Sequence, residues 1–156
     1  MPINLHPPLA AFPIALIVVV VLLEVVQFLW PRLNLHLTIR VNLILAALGT
    51  AAAFFSGYQA SELANQTFTI ADDLIAEHHR WGRLLLFIVV PCAMLQILGS
   101  IAQYGKCWFR VAYYLFLLAC MVLVLVTGWL GGGLVFEHGA GVRAQVPESS
   151  TKSALP

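Results

Sequence analysis

Four long apolar runs, separated by short polar connections, limit what this chain can fold into. They cover about residues 9–30, 37–58, 84–103 and 111–136. A helix needs roughly 20 apolar residues to cross the hydrocarbon core of a membrane, and each run reaches that length. Inside lipid, every backbone N–H and C=O must be bonded within its own segment, so runs of this kind become helices. The sequence therefore predicts an all-α fold, an integral membrane four-helix bundle with up-down-up-down topology.

The third helix is expected to begin before its apolar run. Thr69 followed by Asp72 fits an N-cap with a carboxylate in the first turn, and no strong helix breaker follows until Pro91, which is expected to kink the helix. The prediction is one transmembrane domain over residues 1–142 and a polar C-terminal tail over 143–156, with helices at about 9–30, 37–58, 70–103 and 111–136.

Composition supports the membrane assignment. The chain is 61% hydrophobic and 10% charged, whereas a soluble domain is about half apolar and about a quarter charged. The net charge of +1 argues against nucleic acid as a partner. No basic segment or small-residue cleavage site precedes the first apolar run, so we expect a retained helix there and not a removed signal peptide.

The charges in two loops predict the orientation. Arg32 and Arg40 flank the first connection, Lys106 and Arg110 flank the third, and neither loop contains an acidic residue. Short loops rich in Lys and Arg stay in the cytoplasm. Both termini are therefore expected on the periplasmic or outer face of the membrane.

The histidines are the strongest functional signal in the sequence. With four spans, His6, His78, His79 and His138 all fall at the same end of the bundle, and His36 falls at the other. Histidine is a common ligand of metals and of haem iron. Adjacent residues on a helix diverge by about 100°, so only one of His78 and His79 is expected to point inward.

Glycines and arginines accompany these histidines. Gly82 is one turn from the histidine pair of the third helix and opens a gap beside it. Gly132 belongs to a run of three glycines, which marks either the end of the fourth helix or a packing demand. Small residues of this kind also make room for a flat ligand. Arg80 and Arg83 are cations near enough to pair with haem propionates.

Two further features concern the inside of the membrane. Glu24 and Arg40 should lie at similar depth on neighbouring helices, which predicts an ion pair, because a charge in lipid is costly unless it is paired; the alternative is a carboxylate on a proton path. Cys92 and Cys120 fall in apolar runs and are expected to be small core residues. The sequence contains no Cys-x-x-Cys-His, which excludes covalent c-type haem by that motif.

Two motifs together resemble a known family. The sequence reads HPPLAAFPIAL over residues 6–16 and GGLVFEHGAGV over 132–142, and it is similar to the bacterial membrane family called domain of unknown function 2231. That resemblance implies a four-helix inner-membrane protein. Its architecture is similar to that of small b-type cytochromes, which implies haem by analogy. Where the family has a second histidine just before the Phe-Pro pair, this chain has Ala11.

The leading functional hypothesis is an electron-transfer subunit and not a stand-alone enzyme. It would hold haem b near the outer membrane face and pass electrons between a periplasmic donor and quinone or another membrane subunit. The expected ligands are His138 together with His79 or His78, followed by His6.

Two alternatives stay open. One is a non-catalytic anchor subunit of a larger respiratory or photosynthetic complex. The other is a copper or zinc site built from His6, either His78 or His79, and His138. Glu62, Glu77 or Glu137 would be the fourth ligand. In every case the lipid bilayer surrounds the chain, and other membrane or periplasmic electron-transfer subunits are the expected partners.

Overall fold

The computed structural model describes residues 6–67, 72–101 and 107–138, and the side chains of 6–61, 73–99 and 107–138. Four α-helices account for nearly all of them, and the described residues contain no β-strand: α1 His6–Leu29, α2 His36–Thr67, α3 Asp72–Ile101 and α4 Cys107–Phe136. A short 3₁₀ helix, Pro31–Leu33, joins α1 to α2. The predicted all-α four-helix fold is confirmed.

Several helix limits differ from the predicted ones. α1 begins three residues early because prolines are tolerated in a first helical turn, where their missing N–H is not needed. α2 continues past its apolar part to Thr67, since that stretch contains no proline and no glycine after Gly57. The predicted N-cap at Thr69 lies outside the described residues. α4 runs through its three glycines to Phe136, so those glycines do not end the helix.

The turn between α1 and α2 is closed by one buried side chain, Gln27. Its Nε2 donates a hydrogen bond to the Pro31 carbonyl at 3.2 Å, and its Oε1 accepts one from the backbone N–H of Leu35. Asn34 adopts the left-handed conformation at φ 49°, which asparagine tolerates better than most residues. The turn thus satisfies its own backbone groups and returns the chain antiparallel to α1.

All four helices are long and apolar enough to cross a membrane. Their outward faces carry large apolar side chains, such as Leu22, Phe28, Phe87 and Trp129. In water such a surface would be a liability, but against lipid it is the expected exterior. The arrangement is that of a multi-pass membrane protein.

The helices form a ring in chain order, with α1 packed on α2, α2 on α3 and α3 on α4. The seam between α4 and α1 is the least closely packed. One core cluster fills the centre, and Ile17, Leu43, Val89 and Val124 represent the four helices in it with almost no exposed surface.

The predicted Glu24–Arg40 ion pair is wrong. Glu24 instead accepts hydrogen bonds from the hydroxyls of Tyr113 at 2.6 Å and Tyr114 at 3.3 Å. The side chain of Glu24 is therefore directed towards α4, although the loop places Arg40 of α2 at similar depth. Among the described residues, Nε of Arg40 is buried without a hydrogen-bond partner. We call Glu24, Tyr113 and Tyr114 the carboxylate cluster.

Candidate functional site

An apolar cavity of about 640 Å³ lies at the end of the bundle where α1 begins and α4 ends. All four helices line it, mainly with alanine, glycine and aliphatic side chains. Small-molecule and cofactor sites have volumes of roughly 300–1,000 Å³ and mostly apolar walls with a few polar groups. Three histidines supply most of the polarity here: His6, His78 and His79. We call this region the histidine cavity.

His6, in the first turn of α1, is oriented by α2. Its Nδ1 lies 3.0 Å from the Ala53 carbonyl oxygen and 3.2 Å from Oγ of Ser56. Ser56 Oγ itself donates to the same carbonyl at 3.0 Å. Because a carbonyl only accepts, the tautomer that satisfies it carries the proton on Nδ1 and leaves a lone pair on Nε2. Metal-ligating histidines are commonly fixed through their other nitrogen in this way.

His78 points from α3 toward α4, where Gly131 makes room for it. A Cβ added at Gly131 would lie only 3.1 Å from Cε1 of His78. The His78 and His6 rings are nearly perpendicular, at 83°, with centroids 6.1 Å apart. Nδ1 of His78 is buried and makes no hydrogen bond of good geometry in the described part of the chain, although the backbone of Thr127 in α4 lies close enough to interact with the ring. A buried polar atom without a partner is unusual, and beside a cavity a ligand is one of the groups that can satisfy it.

His79 points the other way, toward α2. Its ring packs on Tyr58 with centroids 4.9 Å apart, and a Cβ added at Gly57 would meet its Cε1 at 3.5 Å. The expectation that only one of His78 and His79 points inward is wrong, because both line the cavity. α3 lies between α2 and α4, so two side chains that diverge by about 100° each face one neighbouring helix.

His138 was expected to be a principal ligand, but it does not reach the cavity. It follows α4 in a turn and is exposed, and it is not among the residues that line the cavity. The helix continues through the glycines and carries His138 beyond the rim. His36 begins α2 at the opposite end of the bundle and is exposed, as predicted.

Arg80 and Arg83 lie outside the cavity, with exposed side chains. Arg80 Nη1 is 3.8 Å from Oε2 of Glu77. The other carboxylate oxygen of Glu77, Oε1, accepts a hydrogen bond from the Trp81 indole. Arg83 Nη2 donates to the hydroxyl of Tyr58 at 3.5 Å. Tyr58 in turn contacts His79, so Arg83 is the cation nearer to the site and Arg80 is engaged elsewhere.

Gly82 and Gly132 both line the cavity, as their predicted role requires. A Cβ at Gly82 would meet only a methyl group of Thr127, at 4.0 Å, and one at Gly132 would meet nothing within 4 Å. The space beside both glycines is therefore open. Gly57 and Gly131 are the glycines that imidazoles touch.

The donors differ from those of a metal-ion centre. Within the described ranges, no group of three or more His, Cys, Asp or Glu side chains is placed to hold a metal ion together. Glu137 is exposed, Glu77 is bound to Trp81 and Arg80, and Glu62 lies outside the described side chains. Two axial imidazoles are enough for haem, whose macrocycle supplies the other ligands.

Gly57 and Ser56 are the site residues that inspection of the histidines missed. A signal for them was present in α2, where small residues recur in the AAAFFSG segment at 51–57. Small residues in a membrane helix allow another group to approach its backbone. Which group approaches depends on tertiary packing and was not readable from one helix.

No curated protein and no solved structure matches the chain. A family model described as "Predicted membrane protein (DUF2231)" matches residues 2–144. The match covers nearly the whole transmembrane bundle, and the chain belongs to this family of membrane proteins.

Proposed function

We propose that the chain is an electron-transfer subunit that holds haem b in the histidine cavity, with His6 and His78 as axial ligands. One observation carries the proposal: two imidazoles from different helices stand over a large apolar cavity with their centroids 6.1 Å apart. An imidazole nitrogen lies about 2 Å from the metal that it ligates. Each ring centroid lies about 1 Å beyond its nitrogen, so two imidazoles that held the same iron would have their centroids roughly 6 Å apart.

The chemistry of the two donors supports the same assignment. The Ala53 carbonyl favours His6 with its proton on Nδ1, which puts the lone pair that would bind iron on Nε2. His78 has a buried Nδ1 without a partner among the described residues. Gly57 and Gly131 keep the backbone of α2 and α4 clear of both rings. His79 would contact the haem edge beside Tyr58.

The walls suit a one-electron carrier. Haem, when bound, supplies reversible one-electron exchange at its iron. The aliphatic lining excludes water, and burial in an apolar pocket is one of the ways in which a protein sets a haem potential. Arg83, joined to Tyr58 at the rim, is the cation placed to pair with a propionate.

The orientation forms part of the proposal. With the first and third connections in the cytoplasm of a bacterial cell, the histidine cavity would open near the periplasmic face. A haem held there would take electrons from a periplasmic donor and pass them to quinone or a neighbouring subunit. The basic, acid-free character of those loops supports this. Asn34→Cys on intact cells should resist a membrane-impermeant maleimide until the cells are opened. Labelling of this cysteine in intact cells would show that the opposite orientation is the correct one.

The function is tested on protein purified in mild detergent. A reduced-minus-oxidised difference spectrum should show the Soret and α bands of b-type haem, and pyridine haemochrome analysis should give about one haem per chain. Protein purified from haem-replete cells without these bands would rule out haem. A co-purifying quinone would then assign the cavity to quinone. A stable partner, together with histidines replaceable by alanine, would indicate an anchor subunit.

A further inference from the structure

We propose that Arg40 and the first turn of α2 bind the phosphate group of an anionic phospholipid, at the end of the bundle opposite the histidine cavity. Neither Arg40 nor any residue over 36–39 lines that cavity. The lipid site is therefore independent of whether the protein binds haem.

The charges at this end of the bundle do not balance. Four cationic side chains flank the first and third connections, whereas residues 1–61 and 78–136 contain a single acidic residue, Glu24. The Glu24 carboxylate is engaged by two tyrosine hydroxyls of α4. The positive surplus at this end must therefore be balanced by anions from outside the chain.

Arg40 is the partly buried member of this basic group. Arg32 and Arg110 are exposed, whereas the side chain of Arg40 is half-buried and its Nε has no hydrogen-bond partner among the described residues. The ion pair found in the described part of the chain joins Arg80 to Glu77 and does not involve Arg40. A donor removed from water without an acceptor is costly, and more so when it carries charge. Arg40 therefore needs an acceptor that the described residues do not supply.

The neighbouring helix does not offer that acceptor at the level of Arg40. Tyr58 lies 18 residues further along α2, which is about five turns, so Arg40 and Tyr58 share one side of the helix. Tyr58 packs on His79 of the antiparallel helix α3. The same 18 residues along α3 lead from His79 to Ile97. An aliphatic side chain is thus expected opposite Arg40, and it cannot accept a hydrogen bond.

The first turn of α2 adds backbone donors at the same place. α2 begins at His36 and has no acidic side chain in its first turn. The N–H of Ile39 is bonded to the Leu35 carbonyl at 2.9 Å, so the N–H groups at 36–38 are the donors that remain, as at any helix N-terminus. Side chains on a helix lean toward its N-terminus, and Arg40 is one turn further in. Its guanidinium therefore extends toward these donors.

A cation near a helix N-terminus is unfavourable by itself, because the positive end of the helix dipole repels it. An anion between the two removes this conflict, since it accepts hydrogen bonds from the backbone N–H groups and from the guanidinium together. Phosphate suits both donors, because arginine can bind two of its oxygens at once.

The membrane determines the source of the phosphate. Both α1 and α2 are long and apolar enough to span a bilayer, so the turn between them lies at the level of the lipid headgroups. Basic pockets between membrane helices bind anionic headgroups, and the positive surplus favours an anionic lipid over a zwitterionic one. Phosphatidylglycerol, which has one phosphate and a net negative charge, is the probe.

The test uses the full chain purified in mild detergent. Native mass spectrometry measures lipid binding, and thermal unfolding measures stability, with phosphatidylglycerol, phosphatidylcholine or inorganic phosphate added. Phosphatidylglycerol should bind and raise the unfolding temperature, and the other two should not. Arg40→Gln should weaken phosphatidylglycerol binding by at least about fivefold, the loss expected for one cation at a headgroup. Arg32→Gln removes the same charge from an exposed position in the same connection and should bind almost as wild type does.

Stability without lipid provides the second measurement. Arg40→Gln in lipid-free detergent should unfold at the wild-type temperature or above it, because the substitution removes a charge that has no partner. A lower unfolding temperature would overturn the proposal, since it would show that Arg40 is already paired within the chain. Equal phosphatidylglycerol affinities in Arg40→Gln and Arg32→Gln would overturn it as well, because binding would then depend on net charge alone. Stabilisation by inorganic phosphate as large as that by phosphatidylglycerol would overturn the lipid assignment in favour of a free anion.

Discussion

The two ends of the bundle surround their polar side chains differently, although each contains one buried nitrogen without a partner among the described residues, Nδ1 of His78 and Nε of Arg40. In the histidine cavity, three imidazoles border open space, and one of them has a buried nitrogen without a partner among the described residues. In the carboxylate cluster, roughly 27 Å away along α1 at about 1.5 Å per residue, Glu24 accepts two tyrosine hydrogen bonds within a packed region. A satisfied polar group stabilises the fold, whereas an unsatisfied one beside a cavity indicates a ligand.

The largest expected effect comes from removing an axial ligand. If haem binds as proposed, His78→Ala and His6→Ala should each strip the haem or leave it five-coordinate and high-spin, because each variant would lack one of the two imidazoles that hold the iron. The absorbance spectrum of the purified variants measures this. His36→Ala, at the far end of the bundle, is the control for the substitution itself.

His138→Ala distinguishes the site seen in the structure from the site that the C-terminal sequence motif predicts. The structure predicts an unchanged spectrum, since His138 is exposed and does not line the cavity. A variant that lost its haem on replacement of His138 but kept it on replacement of His78 would show that the C-terminal motif, and not the cavity, holds the iron.

A smaller effect is expected from filling the space beside one imidazole. In Gly131→Ala the new methyl group would lie 3.1 Å from Cε1 of His78, so the ring must shift, and haem affinity should fall by about tenfold, which corresponds to about 1.4 kcal/mol. Gly99→Ala is the control, because Gly99 lies in α3 away from the cavity lining and has nothing within 4 Å. It should keep its affinity and gain up to about 1 kcal/mol of helix stability. Haem titration and thermal unfolding measure the two quantities, and equal affinities in the two variants would contradict the close approach.

The carboxylate cluster should respond only in stability. Tyr113→Phe removes the 2.6 Å hydrogen bond to Glu24 and should cost about 0.5–1.5 kcal/mol, within the range of hydrogen bonds in membrane helices. Tyr114→Phe should cost less, because its bond is longer, at 3.3 Å, and its side chain is exposed. Neither change should alter the haem spectrum.

A double-mutant cycle distinguishes the partner of Glu24. Glu24→Gln with Tyr113→Phe should show coupling in the free energy of unfolding, and Glu24→Gln with Arg40→Gln should show almost none. A larger coupling energy between Glu24 and Arg40 than between Glu24 and Tyr113 would support the ion pair that the sequence predicted.

The sequence predicted what depends on length and order along the chain. Four apolar runs determine the number of helices, and the number of helices determines which histidines share an end. It could not predict what depends on rotation about a helix axis. That rotation turns Glu24 toward Tyr113 and not toward Arg40, and it sends His78 and His79 to different neighbouring helices. The run of three glycines was ambiguous for the same reason, because only the packed structure shows that Gly131 touches an imidazole and Gly132 does not.

Chemical rescue tests the central claim, that His6 and His78 ligate one iron in the cavity, most directly. Free imidazole added to haem-loaded His78→Ala or His6→Ala protein should occupy the vacated space and restore the low-spin, six-coordinate spectrum in each. It should leave the wild-type and His138→Ala spectra unchanged. A low-spin spectrum in either single variant before any imidazole is added would contradict the account, since it would mean that the removed histidine was never a ligand.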